Sequence, residues 1–231
     1  MSKEPRSISY LYDLIEDDYK WRIVELSNFR SALLLERNEK AQKANIRAGV
    51  ALLYAHWEGF VKQLSNWYYE FVGFQSLTIE ELNDSFISIA LRGELTILRN
   101  SNKLKDHQRM VKTLIEEKKK IAYFSSTSPI RTSNLKFNVF EDVCILIGID
   151  ANEFEKRYKR KFDRSIQLTI DEDLVGQRNS IAHGEYLPIS IEDYKKLYDI
   201  TVNGFLFNFK EIVMDSAYSK KYLRINAKTI I

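Results

Sequence analysis

The chain has little of what breaks or staples a fold. Its 231 residues include one cysteine, three prolines and eight glycines. A single cysteine excludes an internal disulfide framework and a thiolate-rich zinc centre. Cys144 stands in "EDVCILIGI", an apolar setting that suits a small buried thiol and a reducing compartment. So few glycines and prolines leave long stretches uninterrupted, and apolar residues recur at three and four rather than at two. No long hydrophobic run is present. The longest, "AGVALLYA", falls well short of the ~18–20 residues that a spanning helix needs. The opening stretch "MSKEPRSISYLYDLIEDDYKW" turns acidic where a secretory signal would need an apolar core. Glycine-rich phosphate loops are missing too, which disfavours a nucleotide-binding or nucleotide-transferring enzyme. The expectation is a cytoplasmic, soluble protein with no membrane partner.

What is present is helical. Apolar residues make up 45% of the chain, enough for a sizeable core. The net charge of +3 permits a nucleic-acid partner without requiring one. Leu11, Leu14, Ile15, Trp21, Val24 and Leu26 predict a first helix over 8–37. Val50, Leu53, Trp57, Phe60, Val61, Leu64 and Tyr68 predict a second over 42–72. Four capping boxes, at Thr78 ("TIEE"), Asp150 ("DANE"), Thr169 ("TIDE") and Ser190 ("SIED"), each set an oxygen-bearing side chain three residues before a carboxylate. That spacing satisfies backbone donors at a helix mouth. The clearest loop is "FSSTSPIRTSNL", and a last helix is expected from 191 to 213 or as far as 223. No period of 20–50 residues repeats, so a solenoid is not expected. The predicted fold is an all-α, single-domain helical bundle: an N-terminal helix (1–40), front helices (41–123), a loop (124–135) and back helices (136–231).

The densest chemistry lies in "LVGQRNSIAHGEY". At 100° per residue, Ile170, Leu174, Arg178 and Ile181 fall close to one line, so Arg178 interrupts an apolar stripe. A guanidinium stays charged and is costly to bury alone. It therefore calls for an anion: a carboxylate of this chain, a neighbouring subunit or a bound phosphate. Asn179 and His183 are four apart on another face, and Gly184 is placed to end the helix in a left-handed conformation. Arg178 and His183, five apart, stand about 140° around a regular helix. They line one cleft only if the helix loosens or the cleft lies between two chains.

Such residues suit RNA cleavage. RNA carries its own nucleophile, the 2′-hydroxyl. A histidine, with an ordinary pKa of about 6.5, serves as base or acid near neutrality. The arginine fork matches two phosphate oxygens, so no metal or other cofactor is needed. Against this stands a bland reading: a structural arginine paired with a carboxylate, beside an exposed histidine. Glu58, in "HWEGF", either faces the cleft and pairs with Arg178 or points to solvent. His56 reads as a core-edge histidine and His107 as surface. In "EKRYKRKFDR", aromatics at 154, 158 and 162 have the spacing of a buried helix face. Lys156, Arg157, Lys159, Arg160, Lys161 and Arg164 either track an RNA backbone or form a solvated face.

"RNSIAHGE" resembles the R-x4-6-H signature of the HEPN superfamily, all-α domains found in prokaryotic toxin–antitoxin and anti-phage systems. "RAGVALLYAHWEGFVKQLSNWYYEFV" and "IGIDANEFEKRYKRKFD" are similar to preceding blocks of a subgroup with a W-E-G-F core. The resemblance implies a homodimer whose motif helices meet at the interface and cut RNA without metal, leaving a 2′,3′-cyclic phosphate. It casts Arg178 as the phosphate-binding group, His183 as acid/base and Asn179 as the residue orienting one or the other. A cognate antitoxin or defence-system protein is a further implied partner. The alternative is a non-catalytic HEPN-like module that binds a protein or RNA, with Arg178 locked to Glu58.

Overall fold

Residues 4–224 are described by a computed structural model, which is helical as the patterning predicts. The first helix, α1 (Ile8–Leu35), begins where the Ser7 hydroxyl accepts the Tyr10 N–H. Three residues later α2 (Glu39–Phe74) begins on Asn38, whose side chain accepts the N–H groups of Lys40 and Ala41. Its 36 residues run about 54 Å and make α2 the axis of the bundle. Three shorter helices follow: α3 (Asp84–Ala90), α4 (Arg92–Asn100) and α5 (Leu104–Glu116). After the loop come α6 (Phe137–Leu146) and α7 (Ala151–Lys159). A motif helix (166–182) and a C-terminal helix (191–218) complete the bundle. Each has a widened π-helical stretch in its middle, Thr169–Gly176 and Ile200–Leu206. Among the described residues, extended pairing is limited to two isolated bridges, Thr78–Ile121 and Leu82–Leu223. No described helix is long and apolar enough to cross a membrane.

Two of the four predicted capping boxes start helices. Asp150 accepts the Asn152 N–H ahead of α7, and Ser190 accepts the Asp193 N–H ahead of the C-terminal helix. The other two do not. The Thr78 N–H donates to the Glu81 carboxylate as a box requires, but the Thr78 hydroxyl donates to the same carboxylate instead of accepting the Glu81 N–H. The backbone nearby pairs instead with the segment after α5: Ile79 N–H donates to the Lys120 carbonyl and Ala122 N–H to that of Leu77. The helix is deferred to Asp84, capped by Asn83. Thr169 lies fully buried inside its helix, its hydroxyl donating to the Ser165 carbonyl (2.8 Å). Burial makes it an interior residue, and the motif helix starts at Ile166 instead.

The core is built around Trp57. Its ring lies 5.1–6.1 Å from those of Phe140, Phe154, Phe205 and Phe209, which come from α6, α7 and the C-terminal helix. All five are fully buried. Cys144 is enclosed in the same core, and burial pushes its thiol well above its ordinary pKa. On the opposite side of α2 lies a polar cluster with α1. Arg22 Nε donates to Asp18 Oδ2 (2.7 Å), and Nη1 donates to the His56 carbonyl (3.3 Å). Its guanidinium covers the Trp21 ring at 4.6 Å. Gly59 makes room for it, since a Cβ there would lie 3.2 Å from Arg22 Nη1.

His56 is buried in this cluster, with Nε2 2.8 Å from Glu25 Oε2. Its pKa is held below the ordinary histidine value, first by burial and then by the Arg22 charge. Glu25 pulls the other way, but its side chain is about half exposed and solvent screens it. The unfolded chain therefore binds more protons than the folded one just below pH ~6.5, and stability falls as the pH drops through that range. His56→Gln is expected to flatten this acid limb. Urea unfolding of both proteins between about pH 7.5 and 5 checks it, and parallel profiles would refute the assignment.

Candidate functional site

Helix geometry places the site. Consecutive residues of α2 turn by 100°, so Trp57 enters the core while Glu58 faces the motif helix and Gly59 faces α1. Arg178, from the motif helix, meets Glu58 with Nη2 3.8 Å from Oε2. That distance is an ion pair beyond hydrogen-bond length. The guanidinium lies over the Tyr54 ring, 4.0 Å from its centroid, a cation–π geometry. Arg178 Nε is buried without a hydrogen-bond partner among the described residues. Both charged side chains are about one quarter exposed, at 26% and 27%. They are desolvated on one side and open on the other to a shallow groove of about 480 Å³, lined also by Ala51, Ala55, Gly59 and Lys62.

Tyr54 ties this groove to the long loop. Its hydroxyl accepts the Leu135 N–H (2.9 Å). Its pKa is raised to about 12, first by burial and next by the neighbouring Glu58 carboxylate. One residue before Leu135, Asn134 adopts a left-handed backbone conformation (φ 55°). Asn134 Oδ1 accepts a hydrogen bond from Asn179 Nδ2 (3.3 Å). Loop, α2 and motif helix are thus fastened together next to Arg178.

His183 lies elsewhere. It is the exposed residue that caps the C-terminus of the motif helix, which ends as Gly184 was expected to end it. Gly184 has φ +76°, its N–H donates to the Ile181 carbonyl, and the Glu185 N–H donates to that of Ser180. Those two bonds make a Schellman cap. The helix loosens upstream, in Thr169–Gly176, and is regular over Gln177–Ala182. Arg178 and His183 therefore keep their wide α-helical separation. Of the four proposed catalytic residues, the chain brings Arg178 and Glu58 together, links Asn179 to the loop and leaves His183 apart.

The basic run is mostly paired. Arg157 reaches Glu153 and Asp215, both at 2.7 Å. Lys159 pairs with Glu155 at 2.7 Å, Lys161 with Asp199 at 3.6 Å and Arg164 with Asp173 at 2.6 Å. Lys161 and Arg164 border a cleft of about 510 Å³ that Asp173, Asp193 and Asp199 share. Lys156 and Arg160 are exposed and have no ion-pair partner among the described residues. Phe154 and Tyr158 are fully buried, as their spacing predicts.

Sequence reasoning missed Tyr54 and Lys62. Both were findable, since each stands four residues from Glu58 and so shares its face of α2. Asn134 carried no such signal.

The family model described as RiboL-PSP-HEPN matches residues 17–214, a span running from α1 to the C-terminal helix. The chain belongs to this HEPN family. No curated protein and no solved structure matches it.

Tyr54→Phe keeps the ring beneath Arg178 but orphans the buried Leu135 N–H. The expected cost is about 1–3 kcal/mol, read from urea unfolding. A change within ~0.5 kcal/mol would show that the hydroxyl does not anchor the loop.

Proposed function

We propose that this protein is a metal-independent endoribonuclease that works as a homodimer in a toxin or anti-phage defence setting. The observation that carries the reading is Arg178, half-buried on a tyrosine ring at the edge of an open groove, in a helix whose C-cap is His183. A phosphodiester in that groove would meet the guanidinium fork and displace the long contact to Glu58. The 2′-oxygen of RNA then forms its bond to phosphorus while the bond to the 5′-oxygen breaks. One group takes the 2′ proton and another protonates the departing 5′-oxygen, which leaves a 2′,3′-cyclic phosphate. His183 is assigned to proton transfer and Asn179 to orienting the arginine or the histidine. Because Arg178 and His183 diverge within one chain, the reading needs a second copy to bring a histidine to each groove. Lys62, which lines the groove, and the exposed Lys156 and Arg160 are assigned to the RNA backbone beyond the cut.

The Arg178–Glu58 pair also favours a second reading, a non-catalytic module that binds a protein or RNA partner. The two readings separate in one experiment. Purified protein and its His183→Ala variant are incubated with total tRNA, with dimerisation and circular dichroism as controls. Nuclease action predicts a loss of at least ~10²-fold on removing the histidine, with fold and dimer unchanged and with EDTA leaving the wild-type rate unaltered. Cleavage undiminished in folded His183→Ala would refute its role, and no cleavage by wild type would favour the binding module.

A further inference from the structure

α4 and α5 form an arm whose outer face has no partner among the described residues. Neither helix has a fully buried residue. On α5 the inward side holds Asp106, Met110 and Thr113, and Met110 packs against the core. About 150° around the helix lie Leu104, Gln108, Val111 and Ile115. The three apolar members are 77%, 53% and 66% exposed. With Gln108 among them, the four residues are spaced four, three and four apart, the spacing of a coiled-coil seam. Lys105 and Lys112 fall at successive flanking positions of that heptad, and Arg109 lies on the same flank. Lys112 has only a long 3.8 Å contact to Glu116, and Arg109 only a 3.9 Å contact to Glu94.

The charge of the arm is as uneven as its polarity. Between residues 92 and 120, lysines and arginines outnumber carboxylates nine to four. The arm and the four residues that follow it therefore carry +5, whereas the whole chain carries +3. The remaining residues sum to −2.

We propose that the outer face of α5 docks an acidic amphipathic helix of a partner protein, apolar along its seam and carrying glutamate or aspartate at the flanks. A second copy of α5 fits poorly, because antiparallel pairing would set the two lysine rows against each other. RNA would use the cations but not the apolar stripe. The α5 seam is about 20 Å long, which suits a contact of three to four turns. The arm lies apart from Arg178 and His183, so this inference stands or falls independently of the nuclease reading.

The test uses the full chain and a fluorescein-labelled helical peptide of about three heptads, with leucine at its seam and glutamate at its flanks. A control peptide has lysine in place of glutamate. Anisotropy titration up to about 1 mM is expected to saturate with the acidic peptide alone. Val111→Asp should weaken binding at least ~10-fold, and the pair Lys105→Glu and Lys112→Glu should reverse the preference between the peptides. All three positions are exposed, and circular dichroism confirms that each variant folds. Equal binding of both peptides, no saturation with either, or an unaffected Val111→Asp would overturn the proposal. So would a single-stranded RNA oligonucleotide that competes the acidic peptide off, which would assign the face to nucleic acid.

Discussion

The burial of Trp57 fixes the rest of the structure. Four phenylalanines from three later elements close around one indole, and that contact sets how α2 is rotated about its own axis. Once the rotation is fixed, Glu58 has one direction left, toward the motif helix, and Gly59 has another, toward Arg22. The W-E-G-F run is therefore three neighbours in one: core, groove and helix–helix contact, separated by single 100° steps. A change at any of these positions acts on the others through the helix that bears them.

Charge placement follows from that geometry. Two arginines meet α2 on different sides, and each lies over an aromatic ring. They differ in their anions. Arg22 has Asp18 at 2.7 Å and is almost fully buried, so its charge is spent within the fold. Arg178 has Glu58 only at 3.8 Å and keeps an open side. A desolvated cation held at that distance from its counter-ion binds an incoming anion more readily than one already hydrogen-bonded. The same contrast separates Arg157, held by two carboxylates, from Lys156 and Arg160 beside it.

Much of this was legible in the sequence. The first two helices, the loop, the glycine stop at 184 and the caps at Asp150 and Ser190 all follow from local patterns. The boxes at Thr78 and Thr169 failed because non-local terms outweighed local ones: pairing with the chain after α5 in one case, complete burial in the other. The widened turns leave no mark in a pattern of fixed 100° steps. One trace is Gly176, where a Cβ would lie 3.1 Å from the Asp171 carbonyl. At the candidate site, the spacing of Arg178 and His183 left divergence or a shared cleft open, and the regular turn over Gln177–Ala182 keeps them apart within one chain. That Glu58 rather than solvent faces the arginine, and that Tyr54 lies beneath it, required knowing how two helices pack.

The enclosure of Cys144 has a practical side. It is the chain's one thiol, it is sealed in the core, and its thiolate form is suppressed. The native fold thus offers maleimides and other alkylating reagents almost nothing to attack. A cysteine placed at an exposed position such as Asn102 would be the site they find, so spectroscopic probes can be attached singly without first removing a native residue.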